Sequence, residues 1–503
     1  MTAEPANWRA HLPTGVDPAT VDLLAERSLP AAWAARWADH AAAPTVHDRR
    51  SGWTTAGELE ARSAGAAARF HAAGALPGDR ILISAASSLA LVVAHVAALR
   101  LGLVVVPANT AYRERELVHL VTDARPTLAV VDDPTCARWV VDADDRVVAT
   151  GPDLDLLPAG REHPLLDRSA PDDPALLAYT SGTTGSPKGA LLSHGNLLSS
   201  AEALRIAWRW TPDDRLVLPL PLFHLHGLGV GLHGTLLAGA GVVLHEAFDP
   251  GRVVDAVRDE RATLLFGVPT LWQRLLASGR AGELDGLRLG VSGSAPLDAQ
   301  LHRAIAEATG QRLIERYGMT ETVMNVSNPY DGERRPGTVG IPLPHVSLRL
   351  APGTGEILLR GPNVFAGYWE RPDATADSFV DGWFATGDVG AIDDDGYVRI
   401  VGRRKELIIS GGYNVYPREV EDVLRRHPSV SDVAVIGLPH PDWGEEVVAV
   451  VEGGDPGADA ALRVLAVDEL APYKRPKRIV HVEALPRNAL GKVVKAEVRD
   501  LVG

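Results

Sequence analysis

Over most of its length the chain alternates short apolar runs with Ala- and Leu-rich stretches. DRILISA (79–85), TLAVVDD (127–133), DRLVLPL (214–220), GVVLHEA (241–247), TLLFGV (263–268) and LRLGVSG (287–293) each suit one buried strand. Between them, Leu117 to Ala124 and Leu301 to Thr309 repeat apolar residues at helical spacing. Strands apolar on both faces and separated by helices predict βα units in largely parallel sheets. From about residue 335 the texture changes: SLRLAPGTGEILLRGPNVF and GWFATGDVGAIDDDGYVRIVG read as strands joined by Gly and Asp turns, an antiparallel or barrel-like portion. A last unit begins near Gly402. There Pro417 is placed to open a helix with Val420, Val423 and Leu424 on one face, and DVAVIGL (432–438), EEVVAVVEG (445–453) and RIVHVEA (478–484) read as strands. The predicted fold is a large α/β N-terminal domain (1–402), with parallel βα sheets and a small β-barrel-like part, followed by a small mobile α+β C-terminal domain (403–503).

Composition narrows the function. Hydrophobic residues are 46% and charged residues 23%, the balance of a globular chain, and the formal charge is −14. A net negative surface is unsuited to sequence-independent nucleic-acid binding, so no nucleic-acid partner is expected and any anionic ligand must be held locally. The single cysteine, Cys136, excludes an intrachain disulfide and a multi-Cys zinc site. The stretch nearest to a membrane span, Leu89 to Ala108, is interrupted by His95, Arg100 and Gly102 and reads better as a buried helix followed by a strand. With no signal-peptide pattern at the start, a cytoplasmic protein without a membrane partner is expected.

The strongest chemical signal is Tyr179-Thr-Ser-Gly-Thr-Thr-Gly-Ser-Pro-Lys-Gly189 after the apolar run 175–178. Its glycines, hydroxyls and lysine make a loop able to surround phosphate oxygens, and it is not a Walker A loop because no Gly-Lys-Ser/Thr ends it. The loop resembles the signature of the adenylate-forming superfamily of acyl-CoA synthetases, adenylation domains and beetle luciferases. Further segments resemble that superfamily in its order: Tyr317-Gly-Met-Thr-Glu-Thr322, Ala385-Thr-Gly-Asp388, Gly402 to Asn414, and Pro486-Arg-Asn-Ala-Leu-Gly-Lys492.

The resemblance implies a reaction and a set of roles. A carboxylate attacks the α-phosphate of ATP to give an acyl-adenylate and pyrophosphate, and a thiol, expected to be CoA, then displaces AMP. Thr180, Ser181, Gly182, Thr183, Thr184, Gly185 and Lys188 would hold the phosphates. Glu321 and Thr184 would ligate Mg²⁺, and Thr320 would donate to the α-phosphate. Ser294, Ala295, Pro296, Arg316, Tyr317, Gly318 and Met319 would line the AMP site. Asp388 would accept the ribose hydroxyls, Arg403 would contact ribose or phosphate, and Lys492 would bridge carboxylate and α-phosphate. Lys405 takes the hinge position, and Gly411, Gly412 and Tyr413 the CoA channel. Lys492 also resembles a target of protein lysine acetyltransferases, which makes such an enzyme a candidate partner.

Within the superfamily the resemblance is closest to malonyl- and methylmalonyl-CoA synthetases, on Arg288 to Leu297 and Glu315 to Arg334. It implies a small carboxylic acid whose distal carboxylate pairs with Arg288, in a pocket that includes His224, Leu225, Ser292 and Met324. Leu225 departs from that group, and Gly229 and Gly231 are expected to leave extra volume, which keeps a bulkier or aromatic acid open. A carrier-protein thiol is the alternative acceptor. Gly229-Val-Gly-Leu-His-Gly234 matches a dinucleotide fingerprint but follows no plain strand, and His224, His226 and His233 match no zinc spacing. His226 reads as a core residue satisfied by backbone. An oxygenase would share every adenylation motif, and an amino-acid adenylation domain lacks its usual pocket aspartate here.

Overall fold

A computed structural model describes residues 7–160, 163–180, 187–410, 412–453, 456–488 and 491–503. The apolar runs form strands as expected. Four of them, Gly241–Leu244, Arg215–Leu218, Leu264–Gly267 and Leu289–Ser292, lie side by side in that order between two strands the runs did not mark, Pro44–Asp48 and Ile314–Tyr317, and all six pair in parallel within a nine-stranded sheet. A seven-stranded sheet carries Pro174–Thr180, Val104–Pro107, Arg80–Ser84, Leu128–Val131 and Val148–Thr150 in parallel. Its edge is finished antiparallel by Lys188–Ser193 and then Gly367–Tyr368. Parallel strands share a direction, so the loops after Leu218, Ser292 and Tyr317 gather at one edge, where ligands of such sheets bind.

The stretch 89–108 is a helix, Leu89–Leu101, buried on nearly every face, then Gly102 in the left-handed region (φ +84) and the strand Val104–Pro107. Its buried Arg100 is held by Asp167 at 2.9 Å, and among the described residues no helix is long and apolar enough to cross a membrane. The segment His226–Leu232 is a π-helical turn with all seven residues buried, so its glycines form no dinucleotide loop.

The chain divides into two compact units, Met1–Ser347 with Leu359–Phe384, and Leu348–Leu358 with Ala385–Gly503. The division therefore falls inside the strand Trp383–Ile392, and residues 385–402 group with the smaller unit. In that unit Asp432–His440 and Gly444–Glu452 pair antiparallel over nine residues, and Arg478–Val482 adds in parallel. The helix Pro417–Leu424 packs Val420, Val423 and Leu424 into its core, the face its spacing predicts.

Candidate active site

Three loops of the larger unit meet at the parallel edge. After the strand Leu289–Ser292 the chain enters Gly293 and then Ser294, whose φ of +66 is strained for a residue with a Cβ. The Ser294 hydroxyl lies 3.1 Å from His226 Nδ1, so His226 is tied to a side chain rather than to backbone, and its Nε2 is buried without a partner. Beside it stands Arg316, near the end of the strand Ile314–Tyr317. Arg316 is 5% exposed, makes no ion pair among the described residues, and has Nε and Nη2 buried without acceptors. Burial pushes its guanidinium down to about 9, still charged near neutrality, and burial and the Arg316 charge together hold His226 neutral. Ser292 Oγ is a further buried hydroxyl without a partner. An uncompensated buried cation costs several kcal/mol, roughly, unless an anion reaches it. Such a guanidinium, with Nε and Nη2 open, has the chemistry to receive an anionic group.

Next along the chain Gly318 allows the turn to fold back, because a Cβ there would overlap the Val323 carbonyl; Val323 itself has φ +54 and Met324 is buried beside it. Tyr317, Met319 and Thr320 are half-buried in this turn. Glu321 is buried and accepts a hydrogen bond from the Tyr368 hydroxyl at 2.8 Å. Lys188 lies over the Tyr368 ring, 5.2 Å from its centre. At the other base of the phosphate loop the Tyr179 hydroxyl donates to Asp123 at 2.6 Å, and Asp123 also pairs with Arg371. Thr180 precedes the loop; Ser181, Gly182, Thr183, Thr184 and Gly185 lie outside the described residues.

The smaller unit assembles a second group. Asp388 and Arg403 face each other across two strands, with Nε 3.0 Å from Oδ1. Loss of water around the Lys492 ammonium and the Arg403 charge lower its pKa, while Glu406 and Asp388 act in the opposite direction; the residue as a whole keeps contact with solvent. Lys495 bridges Glu406 at 3.1 Å and Glu421 at 2.8 Å. Lys405 is exposed in the turn Arg404–Glu406. Gly411 is outside the described residues, Gly412 has φ +80, and the exposed Tyr413 stacks on Tyr473 at 4.6 Å.

Comparison with known proteins places these features. The family model described as AMP-binding enzyme matches residues 31–369, and that described as AMP-binding enzyme C-terminal domain matches residues 419–492. The chain belongs to the adenylate-forming enzymes. The chain is 40% identical to a feruloyl-CoA synthase from Streptomyces sp, over 89% of its own length and 94% of the relative's. It is 36% identical to a malonate–CoA ligase from Arabidopsis thaliana, over 86% and 79%. The crystal structure of ATP-bound MatB from Rhodopseudomonas palustris superposes with a TM-score of 0.87 at 41% identity, covering 94% and 99%. It is an AMP-forming acyl-CoA synthetase that uses ATP and CoA.

Within the synthetase, the expected role of Arg288 is corrected. Arg288 precedes the strand Leu289–Ser292, at the opposite end from Ser294. Its guanidinium is engaged by Asp214 (2.5 and 2.7 Å) and by the carbonyls of Trp208 and Arg209, both at 3.0 Å, and lies over the Tyr330 ring, so it joins structural elements. Gly229 and Gly231 also differ from expectation. A Cβ on Gly231 would lie 2.7 Å from Leu218 Cδ1, and one on Gly229 would lie 3.2 Å from Leu225 Cδ2, so neighbours already fill the space. His224 and Leu225 are half-buried, and burial pushes His224 down to about 4. His233 is a core residue, 2.8 Å from His95. Sequence reasoning passed over Arg316 as an acyl-site group, although an arginine inside an apolar strand was a signal; nothing in the sequence marked Tyr368 or the close fit at Gly293.

Proposed function

We propose that the synthetase activates a small acid bearing a second anionic group, of the malonate and methylmalonate class, with Arg316 and His226 receiving that distal anion. The observation that carries this reading is the buried, unpaired Arg316 beside His226 and Gly293; the malonate–CoA ligase relative agrees with it. A guanidinium suits a carboxylate because its fork matches both oxygens.

For the adenylation step, Lys188 and the phosphate loop bind the phosphates and Thr320 donates to the α-phosphate. Asp388 holds the ribose, and Arg403 helps to fix the nucleotide. Lys492 carries its positive charge to the point where two anions must approach, which lowers the barrier by stabilising the developing charge. Glu321 suits Mg²⁺, since a buried carboxylate oriented by a phenol, together with substrate phosphates, is the ligand set this hard cation takes. Bound there, the ion would supply positive charge to the phosphoryl oxygens. For the second step, exposed aromatic and cationic side chains favour a nucleotide-bearing thiol over a carrier-protein thiol: Trp443 stacks on His440 at 4.3 Å with Lys477 5.1 Å from its ring, and the exposed Tyr413 stacks on Tyr473.

The test is pyrophosphate release with malonate, methylmalonate, propionate, butyrate and ferulate, for the native protein and Arg316→Met. We expect malonate to be preferred, and its kcat/KM to fall by about 100-fold in the variant while monocarboxylates are spared. A second reading, an aromatic acid, draws on the feruloyl-CoA synthase relative. Ferulate outperforming malonate in the native protein establishes that reading instead.

A further inference from the structure

The segment Pro362–Arg371 stitches together the two parts of the nucleotide site. Gly367 and Tyr368 pair antiparallel with Leu191 and Ala190, three and two residues beyond Lys188, and Trp369 N–H donates to Gly189 O at 2.8 Å. Phe365 N–H donates to the Glu321 carbonyl at 2.9 Å, while Asn363 Nδ2 donates to the carbonyls of Thr322 and Met324, each at 2.9 Å. Asn196 Nδ2 fixes the same segment through the carbonyls of Pro362 and Val364, at 2.8 and 3.0 Å. Tyr368 thereby has its backbone anchored twice, by the strand pairing and by Thr375 Oγ1, which accepts from Tyr368 N–H at 2.9 Å. Its ring packs edge-on against Phe365, with centres 4.9 Å apart.

From this frame the phenol meets two groups of opposite charge. One face lies under the Lys188 ammonium, and the hydroxyl donates to Glu321 Oε1. A cation over an aromatic face is attracted by the ring quadrupole. The hydrogen bond from the phenol fixes the position of one oxygen of the Glu321 carboxylate. We propose that Tyr368 is a positioning residue of the nucleotide site, whose hydroxyl orients Glu321 toward the metal ion of MgATP while its ring locates Lys188 beside the phosphates. The proposal rests on the reading of Glu321 as a Mg²⁺ ligand. Magnesium demands near-ideal octahedral geometry, so a ligand free to rotate binds it poorly, and groups that orient a metal ligand are worth about 10- to 100-fold in metal affinity.

The test measures binding without turnover. ATP affinity is determined by calorimetry in EDTA and in saturating Mg²⁺, with no acid present, for the native protein, Tyr368→Phe, Tyr368→Leu and Glu321→Gln. The ratio of the two affinities is the gain due to metal. Tyr368→Phe keeps the ring and its Phe365 contact; we expect an unchanged affinity in EDTA and a metal gain reduced about ten-fold. Tyr368→Leu removes the ring as well, and its EDTA affinity falls below that of Tyr368→Phe. Glu321→Gln abolishes the gain. A native gain in Tyr368→Phe together with a lost gain in Glu321→Gln overturns the positioning role of the hydroxyl. Equal EDTA affinities in the Leu and Phe variants overturn the role of the ring. A full gain retained in Glu321→Gln identifies the metal reading itself as the part that fails.

Discussion

Gly293 and Arg316 fit against each other so closely that a Cβ on Gly293 would overlap the Arg316 guanidinium. The glycine is what lets a long cationic side chain lie flat across the end of the neighbouring strand and still leave Nε and Nη2 open. Gly293→Ala is expected to displace the guanidinium rather than to unfold the protein. It should lower kcat/KM for malonate at least ten-fold, with a loss of about 1–3 kcal/mol in stability from overpacking. Steady-state kinetics with urea unfolding on the same samples checks both.

Arg316→Met should stabilise the ligand-free protein. A buried charge with no partner is removed and a side chain of similar length takes its place, a change worth about 1–4 kcal/mol where buried ions are replaced by apolar groups. The melting temperature without substrate should rise, and malonate added to MgATP should raise it no further than MgATP alone does. A fall in melting temperature would mean that Arg316 holds the fold together.

Arg288→Ala should do the reverse. It strips a partner from Asp214, whose side chain is 3% exposed, although Thr263 Oγ1 and Thr211 N–H still donate to that carboxylate. A loss of about 2–3 kcal/mol is expected. KM values for malonate and butyrate should stay within about two-fold of native, a factor worth well under 1 kcal/mol. A selective loss of malonate turnover would return Arg288 to the acyl site.

The buried imidazoles set an acid limit. Burial pushes His95 down to about 3 and His194 to about 4, and His233 is also held well below its ordinary value. Each is neutral in the folded chain and titrates near 6.5 when unfolded, so below pH 6.5 the unfolded state binds more protons. Stability is therefore complete above about pH 6.5 and falls as pH drops toward the folded values, by about 1.4 kcal/mol per pH unit for each group. Urea midpoints between pH 7.5 and 5 should show this slope, and His95→Gln should reduce it by the share of one group.

Lys492 should separate the half-reactions. Lys492→Ala is expected to abolish pyrophosphate exchange with acid and MgATP, lowering it by at least 100-fold, on the scale of about 2.7 kcal/mol in transition-state stabilisation. The variant should still form thioester from synthetic acyl-adenylate and CoA. Enzymatic acetylation of Lys492 removes the same charge and should imitate it. Exchange at the native rate would remove Lys492 from the adenylation step.

The apolar runs and their spacing were enough to specify the parallel sheets, the buried helix Leu89–Leu101 and the helix opened by Pro417, because strand and helix periods are local properties that burial then rewards. The ordered motifs were likewise enough to identify an adenylate-forming ligase. Tertiary structure decided which arginine stands at the substrate. Arg288 and Arg316 both border short apolar strands and both sit in motifs resembling malonyl-CoA synthetases. Parallel strands have a direction, however, so the start of one and the end of its neighbour lie at opposite edges of the sheet, about 13 Å apart for four residues at ~3.3 Å each. Arg288 then finds Asp214, 74 positions away, while Arg316 lies against Gly293 and His226. Partners so distant along the chain are chosen by packing, and no local pattern in the sequence contains them.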